Sequence, residues 1–156
     1  GLLLLQLPLA EVVHLHTPAQ LNPLHAGSSR LVLEPDHAHD GLLAADEIAA
    51  LDLRAAVLTL AGCEPPRRVG SEADAHVPRP APGRLVLAGA FVRAGVPAVV
   101  VDHWPTESSG DLFDEFYGNV GRLGPAAALQ RIQGRMFDEE VHPYYWGGWS
   151  LVGRGL

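Results

Sequence analysis

The 156-residue chain has a single cysteine, Cys63, and no lysine; all eleven of its basic residues are arginine. One cysteine excludes an internal disulfide, so nothing in the sequence points to an oxidising compartment, and one is too few for a cysteine-rich zinc site. Eighteen acids outnumber the eleven basic residues, and the net charge of −7 leaves no basic stripe. That argues against a nucleic-acid partner, because such binding rests on neutralised phosphates. No apolar run approaches the ~20 residues of a membrane-spanning helix. The opening Gly1-Leu2-Leu3-Leu4-Leu5 lacks a basic n-region and a small-residue cleavage motif, so it does not read as a signal peptide. These absences set the expectation of a cytoplasmic protein with neither a membrane nor a nucleic-acid partner. The missing lysine, with the load of Ala, Gly and Pro, reads as coding bias of a GC-rich bacterial genome and carries no mechanism.

What is present is a hydrophobic fraction of 47%, enough to build a core, at a length that suits about one domain. Residues 1–9 are apolar up to Pro8 and read as the remnant of an upstream segment; the chain opens on Gly, which predicts a piece of a longer polypeptide. The domain is expected over 10–156. Ala10 to Leu15 reads as a buried strand, Thr17 to Ser29 as loop, and Arg30 to Glu34 as a short strand closed by Pro35. A polar turn, Asp36 to Gly41, leads to a predicted short helix over Leu42 to Leu51. Ala55 to Leu60 is an uncharged strand, and Glu64 to Pro82 is a proline-rich loop of a length that tends to be functional or mobile. Then follow a helix over Gly83 to Gly95, an apolar strand over Val96 to Val101, and a helix opened by Thr106 or Ser108 and ending near Gly121. Pro125 starts a last helix to about Glu140, and Trp149 to Gly153 is a final strand after a turn at 142–146. Alternating strands and helices predict an α/β fold with a mainly parallel sheet.

Two strand ends carry reactive side chains. Val57-Leu58-Thr59-Leu60 runs through Ala61-Gly62 to Cys63, and Val12-Val13-His14-Leu15 ends at His16 before Pro18. Ligands and chemistry in open α/β sheets gather at the carboxyl ends of strands. A thiol at one end and an imidazole at another are the parts of a cysteine–histidine dyad, because a thiol needs a base to take its proton. The bland readings are a buried structural cysteine and packed histidines. Within the pair, His14 falls inside the strand and reads as a packing residue, which leaves His16 as the base. His37 and His39 crowd one turn with Asp36 and Asp40, a spacing better suited to a solvated turn than to a metal, so no metal and no cofactor is expected.

The order of the motifs resembles the C-terminal portion of CHAT domains, the caspase-like peptidases often found after tetratricopeptide repeats. Where that family has Ala-Thr-His-Gly, this chain has Leu15-His16-Thr17; where it has Ser-Ala-Cys-Glu-Thr, this chain has Ala61-Gly62-Cys63-Glu64-Pro65. Leu87-Ala88-Gly89-Ala90-Phe91-Val92-Arg93-Ala94-Gly95, His103-Trp104-Pro105-Thr106 and His142-Pro143-Tyr144-Tyr145-Trp146 match three further motifs in order. The resemblance covers roughly residues 10–153. It implies a caspase-like three-layer sandwich lacking its N-terminal elements, and a cysteine endopeptidase acting through Cys63 and His16. It further implies an oxyanion hole of backbone N–H groups at Cys63 and Thr17, and a substrate cleft lined by Trp104 and an acid, here Glu107. The partners implied are a protein or peptide substrate and an upstream repeat or sensor domain. Thr17 stands where the family has glycine, and Pro65-Pro66 where it has Thr-Gly. These departures keep open an alternative, an inactive CHAT-like scaffold that binds other proteins.

Overall fold

The computed structural model describes residues 6–22, 24–62, 82–104 and 109–154. Its centre is a four-stranded sheet in the order β1-β5-β6-β7, formed by β1 (Val12–His16), β5 (Val57–Ala61), β6 (Ala98–Asp102) and β7 (Trp149–Gly153). β1, β5 and β6 are parallel, and β7 closes the sheet antiparallel to β6. A second, antiparallel sheet lies between β1 and β5 in the chain: β2 (Ala19–Gln20), β3 (Arg30–Val32) and β4 (Leu42–Ala44). The helices are α1 (Ala45–Ala49), α2 (Pro82–Arg93), α3 (Ser109–Leu123) and α4 (Pro125–Asp138).

Side chains alternate across a strand, so β5 and β6 serve two cores at once. Leu58, Leu60, Val99 and Val101 face one side, where Ile48 of α1 and Leu87 and Phe91 of α2 cover them. Val57, Ala61, Ala98 and Val100 face the other, against Leu112, Phe113 and Phe116 of α3 and Leu129 and Ile132 of α4. All five residues of β5 and of β6 are buried, which explains why these strands read as unbroken apolar runs. The result is a mixed α/β sandwich of three layers, compatible with the caspase-like arrangement. Leu7, in a single 3-10 turn, joins the first core. No helix among the described residues is long and apolar enough to cross a membrane.

Three expectations change. The helix predicted from Leu42 is a strand for its first three residues: Leu42, Leu43 and Ala44 pair with Val32, Leu31 and Arg30. The helix begins only at Ala45, where the Glu47 carboxylate accepts the Ala44 N–H at 2.7 Å and satisfies one of the donors that a helix start leaves free. The predicted loop from Thr17 to Ser29 contains β2, held by Ala19 and Gln20 against β3. The helix predicted to end near Gly121 continues to Leu123, before Gly124 at φ +78 starts α4.

Candidate active site

β1 and β5 run in register, with His16 opposite Ala61. The next residue, Gly62, adopts φ +70, a left-handed conformation that turns the chain out of the sheet. A Cβ at Gly62 would lie 2.8 Å from both Cδ2 and Nε2 of His16, so the imidazole ring rests directly on the glycine backbone. Gly62 is bonded to Cys63. The histidine ring and the residue preceding the only cysteine are therefore in contact at the carboxyl end of the sheet. Cys63 and Glu107 themselves lie outside the described residues.

The end of β6 reaches the same place. Asp102 is 2% exposed, and its Oδ2 accepts the Gly62 N–H at 3.1 Å. Arg84, in the first turn of α2, is also buried; it donates to the Asp102 carbonyl at 3.2 Å and stands 3.4 Å from Oδ1. Burial is the largest influence on the Asp102 carboxyl and pushes its pKa up; the Arg84 charge, hydrogen bonds from backbone N–H groups and the His16 charge pull the other way. Neither Asp102 nor Arg84 stands out as a site residue in the sequence. The signal was an acid closing an otherwise apolar strand, and an arginine in the first turn of an apolar helix, where the helix dipole disfavours a cation.

Thr17 is placed less openly than the resemblance implies. Its N–H donates to the Ala61 carbonyl at 3.1 Å, extending the β1–β5 ladder, and its hydroxyl donates to the Val32 carbonyl. To serve an oxyanion, this N–H would have to leave the ladder. Trp104 is half-buried, with its indole N–H donating to the Tyr144 carbonyl at 2.8 Å and its ring packed so close to Gly148 that a Cβ there would come within 2.8 Å. It forms a wall just past the end of β6, stacked on Tyr144.

His14 sits two residues back from His16 on the same face. Its ring meets Phe113 edge-on at 4.6 Å, and its Nδ1 lies 2.9 Å from the Tyr117 hydroxyl. Tyr117 donates in turn to the buried Thr59 hydroxyl at 2.8 Å, which leaves its oxygen to accept from Nδ1–H of His14. His14 is thus a packing residue of the α3 face. Asp36 binds the N–H groups of Ala38 and His39 and the His39 ring, so this polar turn is stapled by its own aspartate, whose pKa is held well below the usual carboxylate range chiefly by the Ala38 N–H. Among the described residues, no group of three or more His, Cys, Asp or Glu could hold a metal ion.

Two measurable consequences follow from this geometry. In Gly62→Ala the new side chain must take a positive φ, at a cost of about 1–2 kcal/mol, and must displace the His16 ring. Urea unfolding should show that loss, and the His16 ring resonances should move; native stability with unmoved resonances would contradict the contact. The second concerns acid. Burial, then the neighbouring His16 charge, lowers the pKa of His14 below 6.5; burial, then Arg84, does the same for His103, whose Nε2 lies 2.7 Å from the Ser150 hydroxyl. Both histidines favour the fold in their neutral forms, so their contribution is present above pH 6.5 and is lost as pH falls through the lowered values. Tm should therefore fall between about pH 7 and 5, and less steeply in His14→Gln/His103→Gln. Equal slopes in the two proteins would show that these histidines are not responsible.

No curated protein matches the chain. The CHAT domain model, however, matches residues 2–154, a span that takes in β1, β5 and β6 with His16, Cys63 and Trp104 at or beyond their carboxyl ends. A match over nearly the whole length, on a three-layer α/β sandwich, places this chain in the CHAT domain family.

Proposed function

We propose that the chain is a cysteine endopeptidase of the caspase-like type, with Cys63 as nucleophile and His16 as acid–base partner. The observation that carries this reading is the contact of the His16 ring with Gly62, the residue bonded to the only cysteine. The Cys63 sulfur, as thiolate, attacks the carbonyl carbon of the scissile peptide. The C–N bond then breaks as His16 gives a proton to the leaving amine, and water hydrolyses the thioester with His16 now acting as base. The oxyanion needs backbone donors; the Cys63 N–H is the candidate, since that of Thr17 is engaged with Ala61. Side chains, backbone N–H groups and water suffice for these steps, and the substrate is a protein or peptide, met in the cytoplasm.

The engaged Thr17 N–H also favours the second reading, a CHAT-like scaffold that binds proteins without cleaving them. A library of peptidyl acyloxymethyl ketones separates the two. A peptidase should be labelled at Cys63 with a preference for some peptide sequences over others. Folded protein whose cysteine reacts with no member of the library would favour the scaffold.

A further inference from the structure

Asp102 and Arg84 form a buried ion pair that the dyad chemistry does not require. Taking a carboxylate and a guanidinium out of water is costly, and a well-packed apolar pair is often as stable or more so. Stability therefore gives a poor account of the pair. Its geometry gives a better one. Asp102 closes β6, Arg84 comes from α2, and Oδ2 of the carboxylate reaches across to the turn after β5. Arg84 holds the Asp102 backbone and stands beside Oδ1, which leaves Oδ2 for the Gly62 N–H. Gly62 is where it matters, because its Cα is the surface on which the His16 ring lies. A shift of the Ala61–Gly62 peptide would move that surface and, through one covalent bond, the start of Cys63.

We propose that Asp102 is a positioning residue for the dyad: anchored by Arg84, it fixes the Gly62 N–H and so sets the relation between His16 and Cys63. The proposal rests on the peptidase reading, in which these two side chains act together. In this role Asp102 acts through its hydrogen bond to the Gly62 N–H.

The test is a double-mutant cycle read at the only cysteine, so it needs no known substrate. Iodoacetamide alkylation of Cys63 is timed by mass spectrometry at pH about 6, where an unassisted thiol is almost wholly protonated. Three backgrounds are compared, each with and without His16→Ala: native, Arg84→Met/Asp102→Asn, and Arg84→Met/Asp102→Leu. Removing both charges avoids stranding a buried one. The Asn background keeps an oxygen for Gly62, and the Leu background does not. His16→Ala should slow alkylation by about tenfold or more in the native and Asn proteins, and by less than about threefold in the Leu protein. A merely structural role would lower Tm in both double variants without erasing the coupling in one of them. An equal effect of His16→Ala in all three overturns the positioning role and leaves the dyad intact. No effect in the native protein overturns the dyad, and the proposal with it. Hydrogen exchange of the native protein gives a readout that depends on no variant: the Gly62 amide should be protected, and an amide that exchanges freely overturns the proposal.

Discussion

Cys63→Ala should reduce cleavage of a peptide library to the uncatalysed background. The reasoning is chemical. A covalent mechanism requires a nucleophile that can leave again, a methyl group offers none, and no second thiol exists to substitute. Water activated by His16 alone would have to attack the peptide directly, without the thioester that divides the reaction into two easier steps. The control is circular dichroism, which should show an unchanged fold, so that lost activity is not lost structure. Addition of EDTA to the wild type should leave its rate unchanged, whereas a metal-dependent hydrolase would lose activity to the chelator. Cleavage surviving in Cys63→Ala would end the assignment of peptidase chemistry to this cysteine, while the membership of the chain in the CHAT family would stand on its sequence match.

How far the sequence carried the reading depended on where the relevant information lay. β5 and β6 were legible because both faces are covered, so that all positions but Thr59 and the closing Asp102 are apolar. α4 was legible from Pro125, and β7 from the run after the turn at 142–146, because their signals are local. β2 and β4 were not, since a strand of two or three residues has no period of its own. What makes Leu42–Ala44 a strand is its pairing with Arg30–Val32, a tertiary fact that overrides the helix-favouring leucines and alanines. The site divides in the same way. The place of His16 at a strand end is legible, because the apolar run and Pro18 mark where β1 stops. The Asp102–Arg84 pair could not, because its partners are 18 residues apart, and the Gly62 N–H that it serves lies 40 residues from Asp102. The motif offers the Thr17 N–H as an oxyanion donor, while the ladder bond to Ala61 that occupies it appears only when β1 and β5 are aligned.

The histidine pair gives the sharpest discrimination, because His14 and His16 are the same residue type on the same face of one strand. His16→Ala should lower kcat/KM by about 10²–10⁴-fold, the usual contribution of a positioned acid–base group. Both rings are exposed, but that of His16 rests on a glycine and not against aromatic side chains, so its loss should change stability little. His14→Ala should do the reverse. Its ring packs edge-on to Phe113 and bonds to the Tyr117 hydroxyl, so truncation removes an aromatic contact and leaves that hydroxyl with Thr59 alone. An aromatic pair is worth about 0.5–1.5 kcal/mol beyond burial, and a hydrogen bond about as much again, so the cost should appear as a lower midpoint in urea. The remaining activity of His14→Ala at low temperature should stay within about threefold of wild type, because nothing in the acid–base scheme passes through it. His14→Gln, which can still reach toward Tyr117, should recover part of the lost stability. The pattern fails if His14→Ala loses activity in proportion to His16→Ala while remaining folded, for the base would then be a pair of histidines coupled along β1 rather than His16 at its end.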